Sequence, residues 1–207
     1  MKILEKVDEI KEKKTIKVKE ILKLLGKESF FQILFISTIF TSIPAPAWGI
    51  GFSTIPAGII TIIISIQLIL DYKYVVLPDF INKKEIKTSI LKGKSFKTLK
   101  KWFEYLKGMS SPRLKQVFKS KNFNKIAGLS LLPQGILMII PIIFTNLIPS
   151  MIVTAMSLAY ILKDGVLFFI FCLMSFIVFF TYIFFFKYLV SYLKYISNKV
   201  FNTNYSY

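Results

Sequence analysis

The longest uninterrupted apolar stretch of this chain covers residues 166–186, which include no proline, no glycine and no charged residue. An α-helix rises about 1.5 Å per residue, so these 21 residues would form a helix about 31 Å long. The hydrocarbon core of a bilayer is about 30 Å thick. We therefore expect a transmembrane helix here, and a mean hydropathy of +0.59 over the chain supports a membrane protein.

Four further apolar stretches are each 14 to 16 residues long and lie at 30–43, 55–70, 126–140 and 148–162. Helices of this length cover only roughly 21 to 24 Å. Proline-rich segments at 43–56 and 140–149 separate them into two pairs. The pattern predicts an all-α integral membrane protein with two proline-broken helical hairpins and one long C-terminal transmembrane helix. The length of the short helices leaves open whether they span the bilayer or re-enter it.

The two predicted hairpins align without a gap at an offset of 93 residues. At that offset Pro56 meets Pro149, and Asp71 meets Asp164. Secondary transporters often contain such repeats, in which short, proline-interrupted segments at matching positions mark the binding site. The alignment predicts an internal duplication.

Each break ends in a small polar residue followed by a proline and an isoleucine-rich stretch. Thr54 and Asn146 are suited to cap the helices that follow, and proline is tolerated in a first helical turn. The amino terminus of a helix carries a partial positive charge that suits an anion. We predict a ligand-binding site formed by Ser53, Thr54, Pro56, Gln67, Thr145, Asn146 and Pro149. In the alternative interpretation, the prolines only terminate helices in a packed bundle.

The residue types present exclude several kinds of site. The chain has no histidine and one cysteine, Cys172, which excludes the usual zinc sites and every histidine-based triad. No charged residue lies in the middle of an apolar stretch, which disfavours an intramembrane proton relay. Asp71 and Asp164 are expected at the membrane interface. We predict no catalytic residue, no metal and no cofactor.

The basic residues alternate with the apolar stretches. Of 28 lysines and arginines, nine precede Ser29 and fifteen lie from Lys73 to Lys125. This distribution follows the positive-inside rule and disfavours nucleic-acid binding as the reason for a net charge of +17. We expect a multi-pass membrane protein with a cytoplasmic amino terminus and central linker. Three lysines after Phe186 leave the side of the carboxyl terminus open.

The predicted organisation has six segments: a basic amphipathic segment (1–28), the first hairpin (29–71), a basic linker (72–121), the second hairpin (122–164), the transmembrane helix (165–187) and a tail (188–207). In the linker, Phe96, Trp102 and Phe103 are interspersed with lysines in the pattern of a helix that lies on an anionic membrane surface. The alternative is a helix packed under the bundle. The expected partners on this evidence are anionic membrane lipids, not nucleic acid.

The order of motifs resembles the ExoD family of exopolysaccharide synthesis proteins. The resemblance rests on four segments, "IPAPAWGIGFSTIPAGIITIIISIQLIL", "VVLPDFI", "SSPRL" and "IPIIFTNLIPSMIVTAMSLAYILKDGVL". Thr145 departs from the family pattern, where glycine is more usual before the asparagine. The resemblance implies an integral protein of the bacterial inner membrane that is linked to exopolysaccharide production and has polysaccharide-synthesis proteins as partners. It does not define the molecular activity.

The leading hypothesis is a nonenzymatic membrane protein that supports exopolysaccharide synthesis or export. It would pass an anionic or lipid-linked precursor through the site at the two breaks. Two alternatives remain: a membrane enzyme that modifies such a precursor with Asp71 and Asp164, or a structural partner of a polysaccharide synthase. The substrate, the direction of transport and the oligomeric state do not follow from the sequence.

Overall fold

The computed structural model of the protein describes residues 15–39, 41–42, 54–87, 105, 113–140 and 146–203. The predicted surface helix around Phe96 and Trp102 lies outside the described residues, as does most of each proline-rich break. The candidate site residues Ser53 and Thr145 also lie outside them.

The described residues are predominantly helical, which confirms the all-α prediction with one long apolar helix. The elements in chain order are β1 (Thr15–Lys17), α1 (Val18–Leu25), α2 (Glu28–Ile39), α3 (Thr54–Ile69), α4 (Asp79–Asn82), β2 (Glu85–Lys87), a 3-10 helix (Lys115–Lys119), α5 (Phe123–Ile139), α6 (Leu147–Ile161) and α7 (Gly165–Thr203). The short strands β1 and β2 pair antiparallel, which the sequence did not predict.

Helices α3 and α6 follow the predicted apolar stretches within one residue at each end. Both end in the same way, because Asp71 and Lys163 adopt left-handed backbone conformations with φ of 54° and 59°. The next N–H group then bonds back five residues, to the carbonyl of Gln67 in α3 and of Ala159 in α6. This geometry satisfies carbonyl groups that a helix end leaves free.

The helices of the two predicted hairpins pack mainly across the hairpins. Helix α3 has its most extensive contact with α5, and α2 has its most extensive contact with α6. Both pairs are antiparallel. Thus Gly58 near the start of α3 lies beside Gly135 near the end of α5, and Glu28 at the start of α2 pairs with Lys163 after α6.

Glycines allow α3 and α5 to approach closely. A Cβ atom at Gly128 would lie 2.6 Å from the backbone oxygen of Ser65, and one at Gly58 would lie 2.9 Å from the backbone oxygen of Gly135. Moving a side chain would not relieve either contact. Small residues of this kind are typical of the interfaces between membrane helices.

The bundle has two chemically different ends. At the basic end, where α2, α5 and α7 begin and α3 and α6 end, Lys27 pairs with Asp71 at 3.0 Å and Lys163 pairs with Glu28 at 3.4 Å. At the opposite end, which we call the break end, α2 and α5 end and α3 and α6 begin. Both proline breaks therefore connect helices at the same end of the bundle.

Helix α7 starts at the basic end and runs parallel to α5. The Asp164 carboxylate accepts hydrogen bonds from the N–H groups of Val166 and Leu167, both at 3.1 Å, and so caps the helix. Phe168 packs against Phe123 with ring centroids 4.9 Å apart. The helix continues past the predicted apolar stretch to Thr203, because no proline or glycine follows Gly165.

Polar residues lie inside the bundle and large apolar residues lie outside it. The fully buried polar side chains include Thr61, Ser65, Ser130, Gln134, Ser157 and Ser175. Exposed apolar residues include Ile59, Ile63, Ile66, Leu129, Ile136 and Met151. Among the described residues, Gly165–Lys199 is long and apolar enough to cross a bilayer, and most of its surface is exposed. The surface therefore carries the large apolar patches that mark an interaction surface.

Candidate functional site

The starts of α3 and α6 meet at the break end through two of the predicted site residues. Thr54 is the first residue of α3, and Asn146 directly precedes α6. The Asn146 Nδ2 atom donates a hydrogen bond to Thr54 Oγ1 at a distance of 3.0 Å. The two side chains are only 6% and 9% exposed. A buried hydrogen bond between residues 92 positions apart thus joins the two helix starts.

The side chain of Asn146 makes no capping hydrogen bond to α6, although the sequence predicted that role. Its backbone is already helical, with φ of −78° and ψ of −16°, whereas a capping residue usually has an extended backbone. The amide instead pairs with the neighbouring helix start. For Asn146 the capping prediction is wrong.

The two prolines lie in equivalent places within their helices. Pro56 is the third residue of α3 and Pro149 is the third residue of α6. The N–H groups of a first turn have no partner within the helix, so a proline there removes no helical hydrogen bond. Pro56 is exposed and Pro149 is buried. Both prolines support the helix starts, and only Pro149 is enclosed within the bundle.

Three hydroxyl side chains join the end of α2 to α6 near the break end. Thr154 Oγ1 donates to Thr38 Oγ1 at 2.8 Å and lies 2.7 Å from Ser42 Oγ. We call Thr38, Ser42 and Thr154 the hydroxyl cluster. The sequence shows hydroxyl residues at 37, 38, 41 and 42, just before the first break, and this density could have indicated the cluster.

Ser150 connects the hydroxyl cluster region with the Thr54–Asn146 pair. Its N–H group donates to the Asn146 carbonyl at 3.2 Å. Its hydroxyl donates to the Thr41 carbonyl at 3.1 Å, and Thr41 directly precedes Ser42 in the chain. Polar groups from three chain segments therefore meet at the break end: the end of α2, the start of α3 and the start of α6.

Gln67 is not part of this site, because it lies at the basic end of α3. Its Nε2 atom donates to the Val76 carbonyl at 2.7 Å, and its Oε1 atom accepts from the Val76 N–H group at 2.8 Å. Both polar atoms of the amide are used to hold the chain that follows α3. The structure places Gln67 in the packing of the basic end, apart from Thr54 and Asn146, and its ligand-binding role stays a prediction.

Gln134 forms a separate buried polar group between α5 and α7. Its Nε2 atom donates to the hydroxyl of Ser175 at 2.8 Å and to the Ser175 carbonyl at 2.9 Å. The Ser175 hydroxyl in turn donates to the Ser130 carbonyl. Among the described residues, Gln134 Oε1 is buried and has no hydrogen-bond partner. These contacts hold α7 against α5 in the middle of the bundle.

The two predicted interfacial aspartates lie at the basic end with separate partners. Asp71 accepts hydrogen bonds from Lys27, at 3.0 Å, and from Asn124. The Lys27 contact, followed by the Asn124 contact, holds the pKa of Asp71 below its usual value of 3.8. Asp164 caps α7. Each carboxylate therefore already has a structural role.

The break-end site has the chemistry of a binding site for a polar ligand. Its described side chains offer amide and hydroxyl groups, which donate and accept hydrogen bonds without changing charge. Within the described part of the chain, no group of three or more histidine, cysteine, aspartate or glutamate residues could hold a metal ion. The arrangement suits recognition of hydroxyl or phosphate oxygens.

Comparison with known proteins gives one family and one relative. The family described as "Exopolysaccharide synthesis, ExoD" matches residues 1–186. The "Uncharacterized protein slr1875" of Synechocystis sp. (strain ATCC 27184 / PCC 6803 / Kazusa) is 30% identical over 137 residues, which are 66% of this chain and 63% of that protein. The match thus spans less than two thirds of the relative's length. No solved structure matches the chain.

Proposed function

This chain belongs to the ExoD family of exopolysaccharide synthesis proteins, and we propose that it is an integral membrane protein that passes an anionic or lipid-linked precursor during exopolysaccharide synthesis or export. The precursor is bound at the break end and leaves chemically unchanged. The observation that carries this proposal is the buried hydrogen bond between Thr54 and Asn146, which joins two helix starts from different halves of the chain.

The distribution of polar and apolar residues supports a position within the bilayer. Helices α2, α3, α5 and α6 contain only two charged residues, Glu28 and Lys125, and both lie at the basic end. Their outward-facing isoleucines are exposed, whereas many of their serines and threonines are buried. Exposed apolar surface of this extent is unfavourable in water and favourable in lipid.

The basic end faces the cytoplasm in this proposal, following the positive-inside rule. Helix α7 begins at that end, and its apolar stretch is long enough to carry the chain to the other side. The carboxyl terminus then lies outside. The protein is a multi-pass protein of the bacterial inner membrane, and the predicted linker contacts anionic lipids on the cytoplasmic surface.

The proposal includes an internal duplication, which the helix arrangement supports. Shifting the bounds of α3 by 93 residues gives 147–162, and α6 occupies Leu147–Ile161. In the duplication, α2 corresponds to α5 and α3 corresponds to α6. The α3–α5 pair is therefore the counterpart of the α6–α2 pair. These are the two pairs with the most extensive contacts. A twofold relation between the halves would bring the breaks together at one site, as in many transporters.

The charge distribution at the break end favours an anionic group on the ligand. The amino termini of α3 and α6 each carry a partial positive charge, and both lie at this site. Helix α3 has 16 residues, so the site lies about 24 Å from the basic end of that helix. A ligand at this depth is within or close to the far side of the hydrocarbon core, where a lipid-linked phosphate is a chemically suitable occupant.

A structural partner of a polysaccharide synthase is the second candidate function. Residues 187–199 of α7 are exposed over their whole length and follow the part of α7 that packs on the bundle. They include exposed aromatic residues such as Tyr188, Tyr192 and Tyr195. The enzymatic alternative has less support, because Asp71 and Asp164 already form a salt bridge and a helix cap.

The test replaces both members of the pair, with Thr54→Ala and Asn146→Ala combined, in a host that lacks its own copy. Exopolysaccharide production should fall several-fold while the protein remains in the membrane. One buried hydrogen bond contributes about 0.5 to 1.5 kcal/mol to stability, so the bundle should survive the change. The measurements are polysaccharide yield and protein abundance in the membrane fraction.

Ser65→Ala is the matched control, because Ser65 is fully buried in α3 and its hydroxyl donates to the Thr61 carbonyl within the same helix. It should leave production unchanged. Normal production in the double variant at normal abundance would refute the break-end site. Purified protein in vesicles separates the candidates further: a carrier moves a lipid-linked precursor unchanged, an enzyme alters it, and a structural partner does neither alone.

A further inference from the structure

A cavity lies at the basic end, at the opposite end of the bundle from the Thr54–Asn146 pair. It has a volume of about 580 Å³ and is formed by the end of α1, the start of α2, the 3-10 helix and the end of α6. Cavities of roughly 300 to 1,000 Å³ are the size that binds small ligands. Its dimensions suit a single small molecule or a headgroup.

The cavity is lined by four lysines, Lys27, Lys115, Lys119 and Lys163, and by one acidic residue, Glu28. Lys163 pairs with Glu28, and Lys27 pairs with Asp71. Within the described residues, neither Lys115 nor Lys119 forms an ion pair. The 3-10 helix therefore brings positive charge to the cavity that the described acidic residues do not balance.

The apolar side of the cavity is an aromatic surface that packs against the helix bundle. Phe118 and Tyr160 line it, and their rings meet edge to face with centroids 5.3 Å apart. Tyr160 is 7% exposed and stacks on Phe31 at 3.8 Å, which keeps its ring in place. Lys163 Nζ lies over the Tyr160 ring, 4.3 Å from its centroid. The cavity thus combines several ammonium groups with a packed aromatic wall.

We propose that this cavity binds a phosphate-bearing anion, with its phosphate oxygens at the lysines and the adjoining part of the ligand against Phe118 and Tyr160. Lysine ammonium groups act as point charges for phosphate, and several of them can share a multiply charged group. The phosphate can belong to a membrane lipid headgroup or to a soluble molecule. Binding here does not require the break-end site, so the two sites can fail independently.

The test uses the full-length protein in a neutral detergent with two probes. Radiolabelled inorganic pyrophosphate represents soluble ligands, and phosphatidate in mixed micelles represents lipids, with phosphatidylcholine as the reference. At least one anionic probe should bind, and its affinity should fall as salt is raised, because exposed charges are screened. Binding of pyrophosphate alone identifies a soluble source, and binding of phosphatidate alone identifies a lipid source. Competition between them shows that one site accepts both.

The decisive variant combines Lys115→Gln, Lys119→Gln and Lys163→Gln, which removes three charges from the cavity. Affinity for the bound probe should fall at least about tenfold. The control combines Lys73→Gln, Lys83→Gln and Lys84→Gln, which removes the same charge from exposed positions that do not line the cavity. If the triple variant does not fold, Lys119→Gln alone should still weaken binding. Absence of binding by both probes, or equal losses in variant and control, would overturn the proposal.

Discussion

Asp71 links three parts of the basic end. Its left-handed backbone closes α3, and its carboxylate is bonded to Lys27 in the turn between α1 and α2 and to Asn124 in α5. These bonds, led by that from Lys27, lower the pKa of Asp71 in the folded protein. A lowered pKa stabilises the fold above the unfolded-state value of 3.8, and this contribution is lost as the pH falls through the folded-state value.

We therefore predict that Asp71→Asn lowers the unfolding temperature at neutral pH and that the difference from the parent protein narrows as the pH falls below 3.8. Asparagine tolerates the left-handed conformation, so the change tests the charge and not the backbone. The measurement is thermal unfolding in neutral detergent, followed by circular dichroism. Lys27→Gln should cause a similar loss, and the double variant should lose little more. A difference that stays constant with pH would contradict this account.

The contact between α3 and α5 depends on glycine. In Gly128→Ala the new methyl group would meet the backbone oxygen of Ser65 at 2.6 Å, so the two helices must move apart. Overpacking costs about 1 to 3 kcal/mol, whereas alanine regains about 1 kcal/mol of helix preference. Because the obstacle is backbone, we predict a net loss of roughly 1 to 2 kcal/mol.

Unfolding in a denaturing detergent measures the stability of this variant. Leu129→Ala is the control, since Leu129 follows Gly128 in α5 and its side chain is 52% exposed. It should change stability by less than about 0.5 kcal/mol, as expected for a surface position. A Gly128→Ala protein as stable as the parent would show that α3 and α5 are not held at glycine contact distance.

The whole molecule has one basic end. Helix α7 begins there and extends beyond the rest of the bundle. If α7 crosses the membrane, Lys84 near the basic end and Tyr195 near the end of α7 lie on opposite sides. We predict that an impermeant thiol reagent applied to intact cells labels Tyr195→Cys but labels Lys84→Cys only after permeabilisation. Both positions are exposed, and the natural thiol of Cys172 is 5% exposed and can be replaced by alanine. The reverse labelling pattern would invert the proposed orientation.

The sequence predicted helices well where local information is sufficient. Backbone hydrogen bonds in a helix connect residues four apart, so an apolar stretch and its flanking prolines contain what is needed to place α3 and α6. The extension of α7 to Thr203 was not predicted. The prediction ended the helix where the apolar stretch ends, at Lys187, but the helix itself continues past that point. Hydropathy reports the surroundings of a helix, and the residues after Phe186 include no proline or glycine that would end it.

The sequence alone determined the family pattern, the apolar helices and the pairing of Thr54 with Asn146 as equivalent candidates. Only the tertiary structure decided that these two side chains form a hydrogen bond, that Gln67 belongs to the basic end, and that the hydroxyl cluster lies near the break. It also decided that α3 packs on α5. The physical reason is that helix formation depends on neighbours in the chain. Contacts between helices depend on which small surfaces fit together across many tens of residues, as at Gly128 and Ser65.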